Sequence, residues 1–191
     1  LVWQQQVDRK ESMLRRHTEV VCTQAAQRLQ VFVDSRLKAA SLFARRWSSH
    51  EAGDFSRERF ESFASLFMQS LPGFEAVGLT MPDRRASWVA PKAAGPMEAL
   101  LGDEGDRLLE RARSRSQPTI SAPMASASGY ATFSAALALR RYEAHLGFLV
   151  VVFRADTLFD ECFPFRVRNE FRLTVHDGEQ PLFCSAARSG D

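Results

Sequence analysis

The sequence predicts an α+β fold: an antiparallel sheet flanked by helices, with one long helix at the N-terminus. Residues Gln5 to Ser48 contain neither glycine nor proline, and their apolar positions recur at helical spacing. From Phe74 onward the period changes to that of strands, which come in sequential pairs joined by polar turns. Leu146 to Phe153 (LGFLVVVF) is an unbroken apolar run, the mark of a central strand covered on both faces. Helices gather ahead of and between the strand pairs instead of alternating with single strands, which argues against a parallel βαβ sheet.

The N-terminal helix carries Ala26, Leu29, Val33, Leu37, Ala40, Ala44 and Trp47 at spacings of 3, 4, 4, 3, 4 and 3. Phe32, Leu42 and Phe43 widen that stripe, so the second half is expected to pack over a broad face. At 1.5 Å per residue the helix reaches roughly 60 Å, longer than a small domain is wide. Its first half is more polar, with Val7, Leu14, Val20 and Val21 as the candidates for an apolar seam, and is expected to project beyond the core. Residues 1–48 are therefore read as a signalling or dimerisation helix and 54–191 as a globular core, together one domain. Gly53 and Asp54 end the helix, and Ser56 is a suitable N-cap for the next. Phe60, Phe63, Ala64, Phe67 and Leu71 then form a helical stripe that Pro72-Gly73 closes.

Phe74 to Thr80 reads as a strand, Pro82-Asp83 as a turn, and Ala86 to Ala90 as the hairpin partner. Pro96 to Arg115 is helical, interrupted near Gly102 and Gly105, with Leu108, Leu109 and Ala112 inward. Thr119 to Ala122 is extended. The small residues 125–129 form a flexible connection to a strand from Tyr130 to Leu139. Asp156 to Phe163 is a short helix. Phe171 to His176 and Pro181 to Cys184 form a last hairpin about Asp177-Gly178.

Hydrophobic residues make up 45% of the 191 and charged residues 25%, which excludes a disordered chain. The formal net charge of +2 argues against a dedicated nucleic-acid binder, which needs a clear cationic excess. No run of 18 apolar residues spans a bilayer. The apolar triplet Leu1-Val2-Trp3, cut off at once by three glutamines, is what the tail of a membrane helix leaves; an incidental chain end reads the same way. Cys162 and Cys184 are able to pair in an oxidising compartment, with Cys22 left to bridge a dimer, or all three are unpaired.

No nucleotide-binding, zinc-protease, serine-hydrolase or calcium-loop motif is present. His17, His50, His145 and His176 stand far apart, without metal-ligand spacing. The basic pair Arg45-Arg46 and the acids Glu58 and Glu61 read as solvated surface. The sheet offers more. Tyr130, Thr132 and Ser134 alternate with Ala131, Phe133 and Ala135, which gives this strand one aromatic-polar face. With Trp88 and Lys92 from the other hairpin and Ser121 at the mouth, they form a candidate small-ligand cradle. No cofactor is identifiable. Two rival readings are a hydrolase using Cys162 or Cys184 with His145 or His176, and a cytosolic scaffold that only dimerises.

The segment from Leu71 to Pro91 (LPGFEAVGLTMPDRRASWVAP) resembles the extracytoplasmic PAS-like sensor domains of bacterial membrane receptors, the Cache and CHASE-like group. The shared pattern is a proline-glycine-aromatic start, a strand, a proline-aspartate turn and a Trp-Val strand ending in proline. Arg111-Ala112-Arg113 followed by Pro118-Thr119-Ile120-Ser121 is similar to the group's helix-to-strand step. Leu146 to Arg154 is similar to its glycine-led central strand, with Asp156 to Phe159 as the short helix that follows. The chain departs from the group after Ser128-Gly129, where the strand runs into Leu139-Arg140-Arg141-Tyr142 without a proline turn. It also lacks a match to the group's ligand-contacting charged residues. The resemblance implies a PAS-like sheet that receives a small ligand in the periplasm, between two transmembrane helices. It implies output through a histidine kinase, diguanylate cyclase or chemotaxis module, and no catalysis in the domain itself. A homodimer through the N-terminal helix would place both N-termini at one membrane.

Overall fold

One uninterrupted helix, α1 (Val2–Ser49), opens the chain. The computed structural model describes residues 2–49, 56–82, 87–125, 130–142, 144–163 and 173–184. Good helix formers and the absence of any breaker carry α1 over about 70 Å. Ser56 caps α2 (Arg57–Ser70) as expected: its side chain accepts from the Arg59 amide at 3.2 Å. The chain then enters β1 (Phe74–Thr80) and β2 (Ser87–Ala90). Two short helices follow, α3 (Met97–Leu101) and α4 (Gly105–Ser114), broken at the glycines where the sequence expects it. β3 (Thr119–Ile120) and β4 (Met124–Ala125) are short edge pieces. The long hairpin β5 (Ala131–Arg141) and β6 (Ala144–Arg154) leads into α5 (Ala155–Cys162). A separate hairpin, β7 (Thr174–Asp177) and β8 (Gln180–Cys184), ends the described chain. The expected turn at Asp83, the flexible connection after Ala125 and the hairpin start at Phe171 fall largely outside the described residues.

Every strand pair is antiparallel, in the order β2-β1-β6-β5-β3, with β4 also on β5. The apolar run therefore lies in the interior of the sheet, between β1 and β5. Phe148 to Phe153 is buried throughout, because helices cover both faces.

Helices α1, α2 and α5 cover the first face. Their core holds Phe43, Trp47, Phe60, Val77, Leu79, Leu137, Leu149, Val151, Phe153, Leu158 and Phe159. A relay of aromatic rings ties the layers together. Phe43 lies edge-on to Phe63 (4.8 Å) and Phe67 (5.2 Å), Phe67 meets Phe74 (4.8 Å), and Phe74 meets Phe153 (4.8 Å). Such ring pairs add about 0.5–1.5 kcal/mol each beyond the area they bury. Helices α3 and α4 cover the second face with Met97, Leu100, Leu101, Leu108, Leu109 and Ala112, over Ala76, Ala136, Phe148, Val150 and Val152.

Two expectations for α1 are corrected. Leu42 is exposed; only Phe43, Phe32 and the inner stripe face the core. Ala26 is exposed too, and Ala25 takes the inward position. Above Leu29 the helix leaves the sheet and rests on α5, where the Arg28 Nε donates to the Cys162 carbonyl at 2.6 Å. That shift of partner turns the inward face by one residue. The first half projects as expected, with residues 9–20 all exposed.

Candidate functional site

Cross-strand partners share a face of the sheet, so the pairing register decides which proposed ligand residues meet. Trp88 pairs with Leu79, Leu79 with Leu149, and Leu149 with Leu137. Trp88 thus belongs to the first face, where its ring lies 6.0 Å from Phe60 of α2. Lys92 turns toward the same helix and pairs with Glu61 at 3.6 Å. Thr132 has the opposite parity from Leu137 on β5 and belongs to the second face. Ser134, two residues on, donates from its Oγ to the Leu100 carbonyl of α3 at 3.0 Å.

Tyr130 stands at the end of that second face. Its hydroxyl donates to Glu75 Oε1 at 2.9 Å, and Arg154 lies over its ring at 4.3 Å. Arg154 also grips Asp156 through two bonds of 2.7 and 2.9 Å, which holds the Asp156 carboxyl below its ordinary range. Ser121 extends the β3 ladder: its amide donates to the Ser134 carbonyl, and its Oγ accepts from the Ser134 amide. The expected single cradle of Trp88, Lys92, Ser121, Tyr130 and Thr132 is therefore corrected. Trp88 and Lys92 are structural partners of α2, one sheet thickness away from the other three.

The second face holds a different cavity, a cleft of about 220 Å³ between the β1–β2 end and helices α3 and α4. Thr80 and Ser87 line it from the strands. Met97, Leu101 and Leu109 form its apolar wall, and Glu98, Asp103 and Asp106 bring three carboxylates from the helices. No lysine, arginine or histidine is among the described residues that line it. The sequence carried a signal for this cleft in the run Gly102-Asp103-Glu104-Gly105-Asp106, where two glycines break the helix around acidic residues.

Cys162 and His145, one pair that a thiol hydrolase would use, stand on opposite faces of the sheet. None of the three cysteines is in a disulfide. Cys162 is buried in the first core, and burial pushes its thiol pKa up, away from a reactive thiolate. His145 lies across the sheet, its Nδ1 within 3.3 Å of both the Leu139 carbonyl and the Gly147 amide and its ring edge-on to Phe148. His176 stands opposite Pro181 on the β7–β8 hairpin. Among the described residues no three His, Cys, Asp or Glu side chains group to hold a metal, and no helix is long and apolar enough to cross a membrane.

No protein-family model matches the chain, and no curated protein matches it in sequence. Solved structures do match. The ligand-binding domain of the Pseudomonas aeruginosa amino-acid chemoreceptor PctC, in complex with GABA, superposes with a TM-score of 0.64 at 17% identity, over 87% of this chain and 74% of that one. The sensory domain of the Campylobacter jejuni chemoreceptor Tlp3 with isoleucine bound gives 0.59 at 10% identity, over 76% of this chain and 60% of its own. The ligand-binding domain of the Pseudomonas aeruginosa chemoreceptor PctB, in complex with L-glutamine, gives 0.56 at 16% identity, over 72% and 54%. The chain thus spans between about half and three quarters of these domains. At such identities the likeness is one of fold. The chain has the fold of bacterial chemoreceptor sensory domains, as the Leu71 to Pro91 segment implied.

Proposed function

We propose that the chain is a non-catalytic, extracytoplasmic ligand-sensing domain of a bacterial membrane receptor, with 54–191 as its sensing core and α1 as its signalling arm. One observation carries this reading. A sheet with the chemoreceptor sensory-domain fold holds a cleft on one face and a helix of about 70 Å on the other. A ligand that shifts the second face has only one layer of strands between it and that lever. In this reading transmembrane helices flank the domain in the parent receptor, two copies pair through α1, and a histidine kinase, a diguanylate cyclase or a chemotaxis module receives the signal.

The neighbours' ligands, GABA, isoleucine and glutamine, make small amino acids and amines the first compounds to try. The test is calorimetric titration of the chain with the twenty amino acids, GABA and short alkylamines. A saturable one-to-one isotherm that Leu109→Trp, which fills the cleft, abolishes is the expected result. A binding isotherm indifferent to that substitution, or none with any of these compounds, overturns the reading.

A further inference from the structure

Met97 is only 3% exposed, yet it belongs both to the cleft wall and to the core of the second face. Its thioether lies flat on Gly78 of β1. A Cβ at position 78 would collide with Met97 Cε and stand 3.0 Å from its Sδ, so the bare glycine backbone is what lets the side chain lie there. Methionine has three rotatable bonds and no branch, which makes it the apolar side chain most easily swung out of a site. The helix that carries it is a single short piece between Gly95 at φ 92° and Gly102 at φ 61°. Beyond Met97 the sheet presents Ala76 next along the same face of β1 and Val150 beside Gly78, with the small Ala136 past it.

Among the described residues that line the cleft, every charge is negative. Glu98 and Asp103 are exposed, and no ion pair of the described residues engages either. Carboxylates around a partly enclosed apolar floor focus a negative potential and raise the local concentration of cations. An anion entering there would be repelled, whereas an ammonium head would be held with its carbon tail toward Met97.

Resting on the sensing role proposed above, we infer that Met97 is a movable floor, and that the cleft takes a small organic ammonium whose apolar tail displaces the Met97 thioether from Gly78. A tail too long for the cleft as it stands then fits once the floor retracts, so residue 97 sets the length of ligand admitted.

The experiment uses the unmodified chain. Dilute hydrogen peroxide converts accessible methionine to its sulfoxide, and peptide mass spectrometry follows each methionine separately. Exposed Met13 is the reference for full access. Met97 is expected to oxidise in the folded chain well ahead of global unfolding. n-Butylammonium chloride should speed that oxidation roughly tenfold, because its tail turns the thioether out of its buried seat, whereas sodium butyrate at equal ionic strength leaves it unchanged. Glu98→Gln with Asp103→Asn, both at exposed positions, should remove the acceleration and leave the rate without ligand intact. Met97 oxidising only as fast as the chain unfolds would show a fixed core residue and overturn the movable floor. Equal acceleration by both salts, or by neither, overturns the ammonium preference, and slowing by the ammonium salt would show a floor that is covered and not displaced. Amino-acid binding in the calorimeter while Met97 oxidises no faster than in the free chain would sink this inference and leave the sensing role standing.

Discussion

Gly147 shows how one residue fixes the register of a whole sheet. It opens the apolar part of β6 at φ 133°, a region L side chains rarely adopt, and a Cβ there would run into the Thr80 carbonyl of the neighbouring strand. Strain and collision act together, and the obstacle is backbone, which cannot swing aside. Gly147→Ala is expected to cost about 3 kcal/mol or more, read from the urea midpoint of unfolding. A loss below about 1 kcal/mol would mean that the strand relaxes around the methyl group. The need for glycine at this point was visible in the sequence only as a glycine leading an apolar run. Trp88 was less legible still. Alternation along one strand tells which residues share a face, but not which face of the next strand they join. That takes the strand order, and β2 and β5 lie three strands apart.

At the scale of the element, α1 carries two stripes with different duties. The inner one, through Leu29, Leu37, Ala40, Phe43, Ala44 and Trp47, was legible because it repeats at helical spacing and ends in large aromatics. Its slip from Ala26 to Ala25 was not, because the slip comes from a change of partner from sheet to α5. The outer stripe runs through Leu14, His17, Val21 and Gln24 at spacings of 3, 4 and 3, the pattern of a two-stranded seam. Leu14 is 65% exposed and Val21 half-buried, so α1 alone leaves this seam largely open. A lone helix end of this length is marginal in water, and a second copy packed in parallel would cover it. Ala25, next along from Val21, faces the core and stays out of that seam. Sedimentation at rising concentration should therefore show a weak dimer that Leu14→Asp abolishes. Cys22 lies one residue past Val21, about 100° round the helix, and points away from the seam. Under mild oxidation a Leu14→Cys variant should cross-link quickly through position 14, while native Cys22 should not. A monomer at all concentrations, or a dimer that tolerates Leu14→Asp, would remove α1 as the dimer contact.

For the whole molecule, the sequence was most legible where one physical demand acts alone. The interior strand β6 needs apolar residues on both faces, and the run LGFLVVVF met that demand without tertiary information. The cleft was only faintly legible, in the acidic run between Gly102 and Gly105, because its wall joins β1 and β2 to helices α3 and α4 that fold back over the sheet. The same layering sets the pH range in which the molecule is most stable. On the acid side, Arg154 bonds Asp156 and lowers its carboxyl pKa in the folded state. That contribution is complete above the unfolded value of about 3.9 and is lost as pH falls through the lower folded value. On the alkaline side, burial raises the Cys162 thiol pKa. Its contribution is complete below the unfolded value of about 8.5 and is lost as pH rises through the higher folded value. These two contributions should therefore both be complete between these limits and fall away outside them, at opposite ends and for unrelated reasons. Asp156→Asn should flatten the acid limb and spare the alkaline one. Cys162→Ala should do the reverse, after a uniform loss for the vacated space beside α1. The measurement is the urea midpoint at each pH for the chain and both variants. If either substitution alters the limb assigned to the other group, or leaves its own limb unchanged, the assignment of that limb fails.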